Sequence, residues 1–369
     1  MGMRLRRISL RNFRNLREVE LSPSPEYNLL LGPNGAGKTN LCEAIYYAAR
    51  GELLKGERQR ELITWGEGWA SLELEVDRDL LRIVLDGTTR VKRVEVNGEG
   101  ISSRGLTVYL RAIAFTADDL QIIKGEPQIR RGFLDGAVAE LFPGHRSCWR
   151  RYERVVREKN HLLRQGKPDE ALLSIYREKM VELGASLISR RLWYLKELNR
   201  ELALLRDRSG LDLRLGRPLR LEYLPSFSLL ELPEEPEELK KWLAEGLAAI
   251  SAEERRRGLS LIGPHRDDLR FTCGGIDLRR FGSQGEQRTA IIQVKLAQLE
   301  LHRRRFGSHP VLILDDLLSE LDPRMGRLLL SALPPGVQAF LTATELRPPL
   351  TELPARVYRL EGGELKEEA

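Results

Sequence analysis

The sequence predicts an α/β fold whose core is split by a helical insertion, and three observations carry that expectation. YNLLLG at 27–32, HPVLILDDLL at 309–318 and VQAFLTATE at 337–345 are short apolar runs that read as buried strands. From about Gln128 to Ser209 the apolar residues recur at helical spacing instead. After Gly258 the α/β pattern returns. At 369 residues the chain is long enough for two or three domains and a sizeable core. The expected division is an N-terminal part of the core at 1–127, a helical insertion at 128–255 and a C-terminal part at 256–369. No internal repeat or low-complexity tract interrupts it.

Taken in order, LRRISL and LREVEL alternate on either side of a turn at Asn12 to Asn15, which signals a hairpin. A short buried strand follows, and Lys38 to Arg50 reads as a helix. ASLELEVDRDLLRIVLDG and RVKRVEVNGEG add alternating strands around glycine turns. In CWRRYERVVREKNHLL, the residues Trp149, Tyr152, Val156 and Leu163 share helical spacing. After RQGKPDE a second helix is expected from Glu170 to Arg208, its apolar stripe made of Ile175, Met180, Leu183, Leu187, Leu195, Leu198, Leu202 and Leu205. Two such helices joined by a Gly-Pro loop form a helical hairpin. The Pro/Glu-rich stretch LPSFSLLELPEEPEELKKW then leads into another amphipathic helix.

Composition narrows the function classes. Apolar residues make up 41% and charged residues 31%, and no apolar run approaches the roughly 20 residues that cross a membrane. The start, MGMRLRRISLRNFRN, alternates like a strand where an export signal has an apolar centre, and Met-Gly-Met-Arg-Leu-Arg lacks the Ser/Thr of a myristoylation signal. Cys42, Cys148 and Cys273 are too dispersed for zinc or a disulfide framework, and the five histidines form no metal cluster. A reducing cytoplasm is the expected location. Net charge is +6, and the pI is near 9.2. Arginine clusters stand at Arg150-Arg151, Arg190-Arg191, Arg255–Arg257 and Arg303–Arg305. They read either as solvated helix faces with Glu–Arg pairs or as part of a nucleic-acid footprint.

LLLGPNGAGKTN at 29–40 matches G-x-x-x-x-G-K-[S/T] between a strand and a helix. In Gly32-Pro33-Asn34-Gly35-Ala36-Gly37-Lys38-Thr39 the glycines let the backbone wrap a phosphate, Lys38 reaches the β- and γ-phosphates, and the Thr39 hydroxyl ligates Mg²⁺. VLILDDLLSELD at 311–322 delivers Asp315 and Asp316 at the C-terminal end of a buried strand, where open α/β sheets bind ligands. The first acid is placed to hold Mg²⁺ through water and the second to polarise an attacking water. Two acids here disfavour a GTPase, and no Asn-Lys-x-Asp base-reading motif occurs. No phosphoryl-acceptor signal supports a nucleotide kinase.

A third feature is RRFGSQGEQRTAIIQ at 279–293, in which Gly282-Ser283-Gln284-Gly285 runs into an apolar helix. Free N–H groups at such a turn suit an anion, or Ser283 simply caps the helix. Together the three motifs describe an ABC-type P-loop ATPase head. That class implies that Ser283 and Gly285 meet the γ-phosphate of ATP held by a second copy, in trans. The expected nucleotide-binding set is therefore Gly32, Pro33, Asn34, Gly35, Ala36, Gly37, Lys38, Thr39, Asn40, Ser283, Gly285 and Asp322. Lys38, Asp316 and Ser283 in trans are the expected catalytic residues, with Thr39 and Asp315 holding Mg²⁺.

LRNFRN, AFTADDLQIIKGEPQIRRGFLD, GPHRDDL, SQGEQRT and LILDDLLSELD follow in an order that resembles the RecF family, from residue 4 to about residue 345. The resemblance implies an SMC/RecF-like head with a short helical arm and weak, DNA-stimulated ATP hydrolysis. It also implies an ATP-dependent homodimer on double-stranded or gapped DNA near strand junctions, acting with RecR and RecO to load RecA. Glu286 stands where many relatives have Gln, and Asp316 where many cassette ATPases have Glu. The switch histidine of transporters is absent, which leaves Thr342 or Thr344 to meet the γ-phosphate, and the glutamine loop falls within Thr116 to Gln121. Arg266, Asp267 and Asp268 read as a salt-bridged corner or as a coupling device, and His265 as functional or structural. A transport subunit predicts Leu-Ser-Gly-Gly-Gln and a switch histidine, which are missing. A chromosome or DNA-end ATPase head with another partner is the remaining alternative.

Overall fold

The computed structural model describes residues 3–54, 59–89, 92–165, 169–209, 215–227 and 232–368. The chain begins with β1 (Leu5–Phe13), β2 (Leu16–Leu21), β3 (Tyr27–Leu31), α1 (Lys38–Arg50), β4 (Trp69–Val76), β5 (Asp79–Asp86), β6 (Lys92–Val96), β7 (Glu99–Gly100), α2 (Leu106–Tyr109) and β8 (Ala112–Thr116). It continues through α3 (Gln121–Lys124), α4 (Pro127–Leu141), α5 (His145–Leu163), α6 (Glu170–Ser209), β9 (Leu219–Leu224), α7 (Pro236–Ala249) and α8 (Ser251–Arg257). It ends with β10 (Asp268–Cys273), β11 (Ile276–Asp277), α9 (Leu278–Phe281), α10 (Gln284–Phe306), β12 (Val311–Asp315), α11 (Pro323–Ser331), β13 (Ala339–Ala343), β14 (Ala355–Glu361) and β15 (Glu364–Glu368). The Gly-Pro joint at 166–168 and residues 228–231 of the Pro/Glu-rich stretch lie outside the described residues.

Packing divides the chain into two compact units, Met1–Asp119 with Asp207–Leu211 and Ile292–Ala369, and Leu120–Arg206 with Asp212–Ile291. The break at 119/120 falls 8 residues before the boundary of 127/128 read from the sequence, whereas the break at 291/292 falls 36 residues after that of 255/256. Helix α10 starts in one unit and ends in the other.

In the first unit, one sheet runs β15-β14-β3-β13-β12-β8. All its neighbours pair in parallel except the β14–β15 hairpin. Register aligns Leu31 with Ala343 and Asp315 with Thr116, so the C-terminal ends of β3, β13, β12 and β8 share one edge. That edge is where a parallel sheet offers loops and helix starts to a ligand. β12 and β13 are buried at every position, as strands covered on both faces must be. The second sheet, β2-β1-β4-β5-β6-β7, is antiparallel and alternates buried with exposed positions. Leu10, Leu72 and Ile83 from this sheet pack with Leu41, Ile45 and Ala48 of α1 and Ile313 of β12 in one apolar cluster.

The second unit is largely helical, with a small sheet β11-β10-β9. Tyr152 and Val156 of α5, Met180, Leu183 and Leu187 of α6, and Leu239, Trp242 and Leu243 of α7 form its core. The α6 stripe is buried as expected at Met180, Leu183, Leu187, Leu195, Leu198 and Leu202. Ile175 departs from it and is 45% exposed. Leu173, fully buried, takes the inward place, and Ile175 lies about 200° further round the helix.

Candidate functional site

The β3–α1 loop is shaped by close approaches that glycine alone permits. Gly32 has φ 152, and a Cβ there would sit 2.2 Å from the Leu360 carbonyl oxygen. Gly37 has φ 112, and its Cβ would meet Leu16 Cδ2 at 2.5 Å and Asn15 Oδ1 at 2.9 Å. Lys38 is buried, and its ammonium donates to the carbonyls of Gly32 (2.7 Å) and Pro33 (3.0 Å). Its charge is thus folded back over the loop, with backbone oxygens standing in for anionic ones.

At the end of β12 the acids and hydroxyls converge. Thr39 Oγ1 donates to Asp315 Oδ1 at 2.8 Å, and Thr342 Oγ1 donates to the same oxygen at 3.1 Å. The Asp316 N–H donates to Thr342 Oγ1 at 2.8 Å. Asp316 has φ 54, a left-handed conformation that Asp tolerates better than most residues. Thr342 is buried and Thr344 is exposed. Asp322 caps α11, accepting from the Met325 N–H at 2.9 Å. In the region of the expected glutamine loop, the Thr116 N–H donates to Asp119 Oδ2 at 2.7 Å, and Lys295 pairs with Asp119 at 2.9 Å.

Thr39 and Asp315 offer the hard oxygens that a small divalent cation prefers. Among the described residues no group of three His, Cys, Asp or Glu side chains could hold a metal unaided. A Mg²⁺ ion would take its remaining ligands from substrate phosphates and water, which suits this donor set.

Two supporting residues, Arg14 and Asn15 of LRNFRN, are not among the expected site residues. Asn15, in the β1–β2 turn, donates through Nδ2 to the Gly35 carbonyl (2.8 Å) and accepts through Oδ1 from Asn40 Nδ2 (2.7 Å). It ties the crest of the loop to the first turn of α1. Beside it, Arg14 makes a two-pronged pair with the buried Glu43 of α1, at 2.8 and 3.1 Å. The alternation of LRRISL and LREVEL located the hairpin turn, but these partners lie 20 to 29 residues away in sequence.

In the second unit, Ser283 caps α10. Its Oγ accepts from the Glu286 N–H at 3.3 Å, and Glu286 Oε2 accepts from the Ser283 N–H at 2.7 Å. This reciprocal pair is a capping box, and hydrogen bonding from Ser283, its backbone N–H first and then its side chain, holds the Glu286 carboxyl below its usual range. The spacing S-x-x-E was readable in the sequence. Gln287 donates to the carbonyls of Leu278 (2.7 Å) and Gly282 (3.2 Å), shaping the turn from behind. Ser283 and Gly285 are exposed, and a Cβ at Gly285 would meet nothing within 4 Å.

GPHRDDL forms a polar corner of the same unit. Arg130 binds Asp268 with two bonds of 2.7 and 2.8 Å, and the Tyr223 hydroxyl donates to Asp267 at 2.5 Å. Arg191, fully buried, clamps Asp135 at 2.7 and 2.8 Å and also reaches Tyr223 and the Pro264 carbonyl. His265 pairs with the Tyr152 hydroxyl at 2.9 Å, and burial pushes its pKa down to about 3. It is therefore a neutral, hydrogen-bonded, partly buried histidine.

The arginine clusters divide. Arg191 belongs to the interior, Arg255 pairs with Glu170, Arg256 and Arg257 with Glu253, and Arg303 with Glu300. Arg150 and Arg151 are exposed. No described helix is long and apolar enough to cross a membrane.

A parallel sheet carrying a glycine loop, a Lys-Thr pair and two strand-end acids on one edge defines an ABC-type P-loop ATPase head. The RecF/RecN/SMC N-terminal domain family matches this chain over residues 4–345. The chain is 36% identical over 383 residues to the DNA replication and repair protein RecF of Desulforudis audaxviator, covering 100% of both chains. It is 36% identical over 348 residues to the protein of the same name from Desulforamulus reducens, covering 93% of this chain and 92% of that one. A solved structure of the recombination mediator protein RecF-ATPrS in the RecFOR pathway superposes with a TM-score of 0.89 at 28% identity, covering 100% of this chain and 99% of that one. The chain belongs to the RecF family.

Proposed function

We propose that this chain is an ATP-driven DNA-binding switch of recombinational repair and replication restart. The observation that carries the reading is the hydrogen-bonded run Thr39–Asp315–Thr342–Asp316 beside the Lys38 loop. It joins a phosphate cradle to two carboxylates, the minimum for binding and hydrolysing a nucleoside triphosphate.

In this reading the loop from Gly32 to Thr39, with Asn40, cradles the ATP phosphates. Lys38 exchanges its backbone oxygens for β- and γ-phosphate oxygens. Thr39 and Asp315 hold Mg²⁺, which when bound neutralises phosphate charge. Asp316 accepts hydrogen bonds from the attacking water and orients it. Ser283 and Gly285 of one copy complete the site of another, with Asp322 beside the nucleotide, so ATP joins two heads. Residues 1–127 and 256–369 supply the head, and 128–255 the arm. The closed cytoplasmic dimer binds double-stranded or gapped DNA near strand junctions, hydrolyses ATP weakly under DNA stimulation and releases. With RecR and RecO it promotes RecA loading, roles supported by the repair and recombination-mediator names of its relatives. DNA affinity should fall steeply with salt, since phosphate contacts dominate.

The test is molar mass in solution. Asp316→Asn keeps the nucleotide bound and slows hydrolysis. With Mg-ATP its mass should double, and adding Ser283→Arg should abolish the doubling. Nucleotide binding without any change of mass would overturn the dimeric switch.

A further inference from the structure

We propose that Thr342 is a positioning residue: it holds the Asp316 backbone in its left-handed turn so that the carboxylate faces the attacking water, and it makes no contact with the γ-phosphate. The inference rests on the reading of Asp316 as the carboxylate that orients water.

β13 lies between β3, which leads into the phosphate loop, and β12, which ends in the acids. A side chain at the end of β13 therefore stands between the two halves of the site, where a phosphate contact would be expected. Thr342 is 2% exposed and its hydroxyl proton is already committed. Its one proton goes to Asp315 Oδ1, and an oxygen lone pair accepts the Asp316 N–H. A hydroxyl has a single donor, so none remains for a phosphate oxygen.

The backbone supplies the second reason. Asp316 at φ 54 follows five extended residues of β12, so the chain turns abruptly where the carboxylate is presented. Left-handed backbone at a residue with a Cβ persists only where its surroundings hold it. Here both sides of the residue are held. Thr342 accepts its N–H at 2.8 Å, and the Ser319 hydroxyl donates to its carbonyl at 2.6 Å. Releasing the N–H lets the residue relax toward ordinary φ, and a carboxylate displaced by about 1 Å loses most of its hold on the water. An Asp at this place also gains a rationale, because its short polar side chain tolerates the left-handed region better than a longer one.

The experiment measures ATP hydrolysis and binding of a fluorescent ATP analogue for Thr342→Val, which keeps the shape and loses both hydrogen bonds. Thr342→Ala serves as the second variant if the valine is not accommodated, and Thr342→Ser restores the hydroxyl. The expected result is a kcat lower by about 10- to 100-fold. KM and analogue affinity should stay within about 2-fold, because Asp315 keeps its bond from Thr39 and Lys38 is bonded to the carbonyls of its own loop. Serine should restore the rate. In an Asp316→Asn background Thr342→Val should slow the residual reaction no further, since no carboxylate is left to position. Weaker analogue binding at unchanged kcat would make Thr342 a phosphate contact and overturn the inference. An equal loss with and without Asp316 would overturn it too. If Asp316→Asn hydrolyses at the normal rate, the reading of Asp316 fails first and takes this inference with it.

Discussion

The two anion-ready turns of this chain, Gly32–Thr39 and Gly282–Gly285, are built in opposite ways. The first is walled in at its two ends, where Leu360 presses on Gly32 and Leu16 and Asn15 on Gly37, and its lysine is buried, while its crest at Gly35 is open. The second stands in solvent, with empty space around Gly285 and Glu286 folded onto the Ser283 N–H as its own anion. A cradle enclosed by its own unit can hold a phosphate unaided. An exposed turn that satisfies itself is equipped to meet a ligand carried by something else.

The largest effect expected from this contrast separates two substitutions of the same kind. Gly37→Ala drives a methyl group into Leu16 and Asn15, and should weaken nucleotide binding by roughly 100-fold or more in equilibrium titration. Gly285→Ala adds its methyl to open space, so nucleotide affinity should stay unchanged while ATP-dependent dimerisation weakens. Equal losses of affinity would erase the distinction between the turns.

The next effect concerns the frame of the second unit. Arg191→Met leaves Asp135 buried without its clamp and should cost about 3–5 kcal/mol in denaturant unfolding. The exposed pair Arg270–Glu222, tested by Arg270→Met, should cost about 1 kcal/mol or less.

His265 gives a pH-dependent test in the same frame. Its folded pKa of about 3 lies below the ordinary 6.5, so the unfolded chain binds the proton more readily. This contribution is complete above pH 6.5 and is lost as the pH falls toward 3, at up to about 1.4 kcal/mol per pH unit. His265→Gln should flatten the acid limb of the unfolding profile. An unchanged slope would assign the acid sensitivity to other groups.

The smallest effect is at the exposed turn itself. Glu286→Ala removes half of the capping box and should lower stability by about 1 kcal/mol, while Glu286→Gln should leave it nearly unchanged.

The same contrast governs what the sequence made legible. Strands, loop glycines, the Lys38–Arg50 helix and the long helix from Glu170 are written locally, in runs of apolar residues and fixed spacings. Their positions could be read directly. The Asn15 latch and the Thr342 clamp join residues up to 26 apart, and the Thr39–Asp315 bond spans 276. Spacing says nothing about which of Thr342 and Thr344 is buried, because residues two apart share a strand face and the difference arises where β13 ends, at Ala343. Ile175 fails for a related reason: an apolar residue near a stripe is not on it unless its angle around the helix agrees. Glu286 is different, since its capping box is written locally as S-x-x-E.

The central claim is that the exposed turn completes a site carried by another copy. Mixing Asp316→Asn with Ser283→Ala chains in equal amounts, with ATP hydrolysis as the readout, tests it most directly. Each variant alone should be nearly inactive. In a mixed pair one site has both an intact Asp316 and an intact Ser283 from the partner, so the mixture should recover about a quarter of the unmodified rate. A mixture no more active than the average of the two variants would place Ser283 and Asp316 in the service of the same chain and contradict the account.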